Sequence, residues 1–322
     1  MLALCSVVLT LVMAVHAKIP NRVGNLGSLI ETFLPWIAVF IPVLLLLALL
    51  RRSATALIAL LLPAVVWLNT FGGLITDKSG TGGDLTVATH NVNADNPDPP
   101  APAQQVAGSG ADVVALQELP GSKVSTYEKS LAARYPYHSV QGTVGLWSKY
   151  PLSNNQAGRH QDGLDPGDCA PRFKAPQGEV AVYVAHLPSV RVKLRAGFTA
   201  NQRDDSADAL GEAIADEQVE RVVLLGDLNG TMNDRSLKAV TSQMRSTQGA
   251  VGDGFGFSWP ASFPMARIDP DHGQGRRAEV LVDPGGDRQR PPAAGGARPA
   301  LTVRQDDGAP APICSIRIHK ED

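Results

Sequence analysis

Apolar and polar positions along this chain fall into three regimes. Leu2 to Ala17 is almost entirely apolar. Leu29 to Leu50 is interrupted only by Glu31 and Thr32 near its start, and Arg51-Arg52 then separates it from a third run, Ala54 to Ile75. About 20 apolar residues span a bilayer as a helix, so the second and third runs are long enough and the first is short. Pro35, Pro42 and Pro63 are tolerable within such spans. A signal peptide at 1–17 would need a basic start, which is absent, and two more apolar runs follow it. A buried helical hairpin is the soluble alternative, disfavoured because runs this long and charge-free are rare in soluble cores. Residues 1–76 are therefore expected to be a membrane region of two to three transmembrane helices. Arg51 and Arg52 place the tight loop in the cytoplasm by the positive-inside rule, whereas Lys18 and Arg22 argue the other way. The expectation is a multi-pass protein of the cell membrane with an extracytoplasmic C-terminal domain.

After a short Gly-rich linker at 77–84, the period changes. Leu85–Asn91 reads as a strand, followed by the Pro-rich stretch NPDPPAPA, read as a loop. Further strands are expected at Asp112–Leu116, Gly145–Ser148, Glu179–Ala185 and Arg221–Leu225. Ser206–Gln218 has helical spacing, with Ala207, Leu210, Ala213 and Ile214 on one side. Short apolar strands mixed with a helical segment indicate an α/β domain.

The 322 residues carry a net charge of −2, with 44% hydrophobic and 19% charged residues, which excludes a basic nucleic-acid coat. Arg191, Lys193 and Arg195 are read as a solvated loop, so no specific nucleic-acid partner is inferred. Cys5, Cys169 and Cys314 show neither a disulfide framework nor zinc-ligand spacing.

Four apolar strands end in polar groups: Asn91, Glu118, His186, and Asp227 with Asn229. Side chains at strand ends project into the loop layer, where sites are built on a rigid sheet. Oxygen donors with one imidazole suit Mg²⁺ or Mn²⁺ better than zinc. His90 reads as a strand residue packed against its neighbours. Asp162, Asp165 and Asp168 read as solvated loop residues, and Trp147, Phe257 and Trp259 as core or rim.

THNVN at 89–93, LQE at 116–118, AHLPS at 185–189, GDLNG at 226–230 and RID at 267–269, in that order, resemble the endonuclease/exonuclease/phosphatase (DNase I-like) superfamily. The resemblance spans about Leu85 to Asp269. It implies a four-layered α/β sandwich of two packed sheets with outer helices, preceded here by transmembrane helices. It also implies a role for each matching residue. Glu118 is the metal-binding carboxylate. Asn93 stands where some members have a metal-side aspartate. Asn91 positions metal and phosphate. His186 is a proton donor or phosphate contact. Asp227 orients or deprotonates the attacking water, Asn229 holds Asp227 and the phosphate, and Asp269 orients a final histidine. The cofactor implied is Mg²⁺ or Mn²⁺. A cation neutralises charge developing on phosphoryl oxygens, and a base activates water in line with the leaving oxygen.

The family pattern then requires a closing Ser-Asp-His motif, and residues 270–322 do not supply it. Asp271-His272 comes too soon, and Pro284–Arg298 is seven parts in fifteen Pro or Gly, a composition that does not make a buried strand. Ile313–Ile318 could be a short strand without an Asp-His. Plausible GC-rich codons for Gly286–Gly295, read one base later, spell Ala-Thr-Gly-Ser-Asp-His-Arg-Pro-Leu, the missing motif at about the right distance. The expectation is a reading-frame shift near Asp269, with 270–322 a disordered or out-of-frame tail. Two readings follow. One is a membrane-tethered, metal-dependent phosphodiesterase or phosphatase of undetermined phosphoester substrate, touching the bilayer through its N-terminal helices. The other is a catalytically inactive or truncated chain that only binds a phosphorylated ligand.

Overall fold

The computed structural model describes residues 1–22, 24–75, 85–153, 170–175, 178–193, 197–246, 276–277, 279–282, 303–305 and 313–316. The linker at 77–84, the loop holding Asp162, Asp165 and Asp168, Phe257, Trp259, Asp269, Asp271, His272 and Pro284–Arg298 all lie outside these residues.

The N-terminal region is helical: α1 (Leu2–Val15), α2 (Leu26–Thr32), α3 (Phe40–Leu50), α4 (Ala54–Ala59) and α5 (Leu61–Phe71). α4 and α5 run on as one 21-residue apolar helix, Ala54–Leu74, long and apolar enough to cross a membrane. The run 29–50 is not the single straight span expected from sequence. Leu26–Thr32 and Leu34–Leu50 meet at 67°, so among the described residues there is one such helix, or two if the bent pair counts as one span. The bend has a local cause. Pro35 disfavours helical backbone at Leu34, and Leu34–Val39 is a 3-10 turn. Leu2–Lys18 is shorter than a span. At one end of the bundle Ala48, Ala56 and Leu60 pack with Leu2 and Leu44; at the other, Met13, Leu34 and Phe71 pack with Ile37 and Trp67. Arg51 and Arg52 therefore sit at the tip of the α3–α4 hairpin.

Two sheets form the second region. The first contains β1 (Leu85–Asn91), β2 (Val113–Gln117), β3 (Tyr137–Gln141) and β4 (Val144–Ser148); the second contains β5 (Leu152–Ser153), β6 (Arg172–Ala175), β7 (Gly178–His186), β10 (Val222–Asp227) and β11 (Arg245–Ser246). A hairpin, β8 (Arg191–Lys193) with β9 (Gly197–Thr199), follows β7. Alternation assigns each face. Leu85, Val87, Val113, Ala115 and Leu146 of the first sheet meet Phe173, Val182, Val184, Val223 and Leu225 of the second. Such fully buried side chains each contribute roughly 1.5–3 kcal/mol. The outer face of the first sheet packs on α6 (Pro100–Gly108) and α7 (Val124–Leu131). That of the second packs on α8 (Asn201–Ala215) and α9 (Lys238–Thr241). The result is the expected four-layered α/β sandwich.

The Pro-rich stretch after β1 is a loop only in part. Its second half opens α6, with Pro100 in the first turn, where a missing N–H breaks no helical bond. Trp147 and His90 are buried in the structure, in keeping with the packing roles read for them. Beyond Asp269 the chain has more strand than its composition suggested. β12 (Arg276–Arg277), β13 (Glu279–Val282) and β14 (Val303–Gln305) were not anticipated, while β15 (Ile313–Ile316) falls on the segment read as a short strand. β13 pairs antiparallel with β10, and β15 and β12 pair antiparallel with β1.

The two regions are joined by polar contacts as well as by chain. Leu29 and Phe33 pack on Val190, Phe198 and Ala200, and Asn25 Nδ2 donates to the Phe198 carbonyl oxygen at 2.5 Å.

Candidate active site

β1 pairs parallel with β2 and β10 pairs parallel with β7, and the Asn91–Asp227 contact brings the C-terminal ends of both pairs to the same edge of the sandwich. Asn91, His186 and Asp227 stand at strand positions of the same parity as the residues facing the other sheet. The inter-sheet layer is therefore apolar until its last rung, which is polar. Asp227 lies directly opposite His186 in the β10–β7 register.

Asn91 is the hinge of this rung. Its Nδ2 donates to Glu118 Oε1 at 2.9 Å and to Asp227 Oδ2 at 3.3 Å, linking a carboxylate of each sheet. Asn91 Oδ1 accepts from the Asn93 N–H at 3.1 Å. Glu118 Oε2 accepts from the Ala94 N–H at 3.2 Å, and His186 Nε2 lies 3.7 Å from Glu118 Oε1. Asp227 Oδ1 accepts from the Asn229 N–H at 2.9 Å, and Asn229 Nδ2 donates to the Leu187 carbonyl oxygen at 2.6 Å. Asn91, Asp227 and Asn229 are buried, while the side chains of Glu118 and His186 are 17 and 19% exposed. A buried amide between two carboxylates, with an imidazole at the mouth, can orient water and bind an anionic oxygen.

The backbone is unusual at the same place. Asn93 (φ 58°), Glu118 (φ 57°) and Asn229 (φ 46°) are left-handed. That conformation is uncommon for residues other than glycine, and such residues cluster where surrounding structure holds them for function. Gly226 has φ 148°, and a Cβ there would fall on the Ala185 carbonyl oxygen. The glycine before Asp227 thus lets β10 approach β7 closely enough to set Asp227 beside His186.

Of the residues singled out from sequence, the structure brings together Asn91, Glu118, His186, Asp227 and Asn229. Asn93 adjoins them, but its side-chain oxygen accepts from the Asp95 N–H at 3.1 Å, within its own loop. Asp269 lies outside the described residues. Two supporting residues were not read from sequence. Lys123 Nζ donates to the Ala94 and Asn96 carbonyl oxygens at 2.8 and 2.7 Å, closing the loop beside Glu118. Arg203, 1% exposed, donates from Nη1 to the Asn229 carbonyl oxygen at 2.8 Å and from Nε to Asp204 Oδ1 at 2.7 Å. Burial raises the Asp204 pKa, and Arg203 opposes that shift. The signal for Arg203 was present, because residues 203, 207, 210 and 214 share one helical face and the other three are apolar.

The donor set can be tested against a hard cation. Glu118 offers a partly exposed carboxylate whose two oxygens accept from Asn91 Nδ2 and the Ala94 N–H. Mg²⁺ is commonly held by one or two carboxylates, with waters and substrate phosphate completing its shell, so this arrangement fits it. Among the described residues no group of three His, Cys, Asp or Glu is placed to hold a metal by itself.

Residues 88–269 match the family model described as the Endonuclease/Exonuclease/phosphatase family. Among solved structures, the chain is similar to truncated TDP2 from Caenorhabditis elegans, at 18% identity over 71% of this chain and 95% of that one, with a TM-score of 0.48. It is also similar to a beta toxin from Staphylococcus aureus (15% identity, 74% of this chain and 100% of that one, TM-score 0.47). A third is sphingomyelinase C from Streptomyces griseocarneus (19% identity, 74% and 100%, TM-score 0.43). No curated protein matches the chain.

Proposed function

The chain belongs to the endonuclease/exonuclease/phosphatase family, and from that premise we propose that it hydrolyses a phosphoester with water activated at the Asn91–Glu118–Asp227 rung, beside a membrane. The observation that carries this reading is the Asn91 amide shared by Glu118 and Asp227. It sets the two carboxylates at a fixed separation on opposite sheets.

In this mechanism Asp227, held by Asn91 and by the Asn229 N–H, accepts the proton of the attacking water. Holding the carboxylate through two hydrogen bonds points it toward one water position, which is the entropic part of the catalysis. His186, at the mouth, binds a phosphoryl oxygen or protonates the leaving oxygen. Asn229 keeps Asp227 in place. A Mg²⁺ or Mn²⁺ ion, held by Glu118, would supply electrostatic stabilisation of the phosphoryl charge. The closing Asp-His of the family pattern is missing from the sequence, and a shifted reading frame after about Asp269 accounts for it. That absence favours a second reading, a catalytically silent chain that binds a phosphorylated ligand. Hydrolysis of bis(p-nitrophenyl) phosphate by the full chain, with and without Mg²⁺, separates the two. Metal-dependent turnover supports the enzyme, and ligand binding without turnover supports the silent chain.

The membrane part of the reading rests on uncovered apolar surface. Leu46, Leu50, Ile58, Leu61 and Val65 are 58, 71, 68, 63 and 62% exposed, and only 17% of the most apolar window of Ala54–Leu74 is buried. A soluble core helix would be covered, and a contiguous apolar surface marks a membrane or partner face. With the Arg51–Arg52 tip in the cytoplasm, the α/β domain lies outside the membrane on the far side.

A further inference from the structure

The turn that carries Asp227 and Asn229 is supported from behind by charged groups that lead out of the α/β domain and into the N-terminal region. Arg203 lies directly under the turn. A Cβ at Gly230 would meet its Nη1, so the guanidinium fills the space that glycine leaves. Its Nη2 lies 2.8 Å from Asp234 Oδ2, a pair in which both side chains are at most 1% exposed. Asp234 Oδ1 in turn accepts from the Ser236 N–H at 3.0 Å and faces Ser28 Oγ of α2 at 3.5 Å.

The next residue, Arg235, is clamped by α2. Its backbone N–H donates to Glu31 Oε2 at 3.0 Å, and its Nε donates to both Glu31 oxygens at 3.2 Å. Its Nη1 and Nη2 donate to the Ile19 and His16 carbonyl oxygens at 2.5 and 2.8 Å. Glu31 is fully buried and also faces His16 Nδ1 at 3.2 Å. A buried carboxylate is tolerated only with partners of this kind, and removing one partner is strongly destabilising locally. Glu31 therefore does not belong to a lipid-facing span. It fixes His16, Ile19 and α2 against the segment that begins at Arg235, six residues after Asn229 and one after Asp234.

We propose that Arg203 and Glu31 are positioning residues of the active site, so that the docked N-terminal segment is a working part of the catalytic turn as well as a tether. The proposal rests on the reading of Asp227 and Asn229 as site residues. Glu31 holds Arg235, this seats Asp234 against Arg203, and Arg203 holds the Asn229 carbonyl. Asn229 has left-handed backbone, and the carbonyl that Arg203 holds is part of that turn. Its side chain also braces Leu187, next to His186, so movement of the turn would disturb both the water-activating carboxylate and the imidazole.

The test uses the full chain in detergent micelles. Amide hydrogen exchange is followed in peptides covering 226–236 and 186–190, with β2 (113–117) as the internal reference. Glu31→Gln, Arg203→Gln and Arg203→Lys are compared with the parent. The expected result is exchange about tenfold faster in 226–236 for Glu31→Gln and Arg203→Gln, with β2 unchanged and Arg203→Lys in between. In parallel, kcat for bis(p-nitrophenyl) phosphate falls about tenfold with KM within about twofold, the signature of lost transition-state positioning. Unchanged exchange at 226–236 in Glu31→Gln overturns the proposal, as does a uniform rise across both sheets, which would mean general destabilisation. If Arg203→Gln does not fold, Glu31→Gln and Arg203→Lys decide the matter. If the parent does not turn over substrate at all, the hydrolase reading fails while the exchange data still judge the positioning role.

Discussion

Asn91 and Glu118 sit at the ends of neighbouring parallel strands, and the 2.9 Å bond from Asn91 Nδ2 to Glu118 Oε1 holds the carboxylate at the mouth of the site. Glu118 is left-handed at φ 57°, so its position depends on such bonds as well as on the strand before it. Asn91 has a second acceptor in Asp227, which makes it the joint between the two sheets.

Glu118→Gln keeps the shape of that side chain and removes the charge a hard cation needs. Mg²⁺ affinity should fall at least about tenfold, on the order of 1.4 kcal/mol. Titration calorimetry on the full chain measures this, and unaltered Mg²⁺ binding would remove Glu118 from the metal site.

Gly226→Ala should unfold the catalytic edge. An added Cβ cannot coexist with the Ala185 carbonyl oxygen, and φ 148° is unfavourable for alanine. The expected loss is at least about 2 kcal/mol, read from urea denaturation. A variant as stable as the parent would show that β10 can withdraw from β7 at no cost.

On the proposal that the reading frame shifts after Asp269, a chain with the frame restored should regain catalysis. The in-frame chain would regain an aspartate and a histidine acting on the phosphoryl charge, and loss of one such stabiliser typically costs about 10²–10³ in rate. At least about a hundredfold faster Mg²⁺-dependent hydrolysis is expected of the in-frame version. Equal rates would show that the residues beyond Asp269 do not matter to turnover. Sequencing the gene bears on the same point, because the shifted frame must encode Ser-Asp-His.

Alkaline pH should weaken the fold through its buried tyrosines. Burial, with a smaller contribution from Asp98, pushes Tyr127 up to about 12. Tyr135 and Tyr150 are raised by burial as well. A raised folded pKa means the unfolded chain loses its phenol protons first, from about pH 10. Stability is therefore whole below that pH and declines as pH rises toward 12. Tyr127→Phe should flatten part of the fall in Tm between pH 9 and 11.5; a curve parallel to the parent's would refute this.

Leu61→Arg tests the membrane reading. Leu61 is 63% exposed on the helix Ala54–Leu74, and a mid-span arginine costs about 2.5–3.5 kcal/mol on insertion. The parent should stay with membranes after carbonate extraction and the variant should be depleted from them. A parent that washes off would leave the exposed belt to a protein partner.

Much of this protein was legible in the amino-acid order because period and punctuation are local properties. β1 was readable from Leu85 to Asn91, and β7 and β10 to within a few residues, because apolar runs ending in polar groups need no distant partner to be seen. Asn91, Glu118, His186, Asp227 and Asn229 were legible as strand-end groups for the same reason. Only the tertiary structure decided which faces meet. Glu31, a blemish in an apolar run, becomes the partner of Arg235 some two hundred residues away. Arg203, a charge on an apolar helical face, becomes the support of Asn229. Asn93, an apparent ligand by position, turns to its own loop at Asp95. β13 shows the same limit, since its antiparallel pairing to β10 was not announced by the sequence, whereas β15 falls on the segment read as a short strand. A buried charge is tolerated only beside its counter-charge, and the position of that counter-charge is a property of the folded chain.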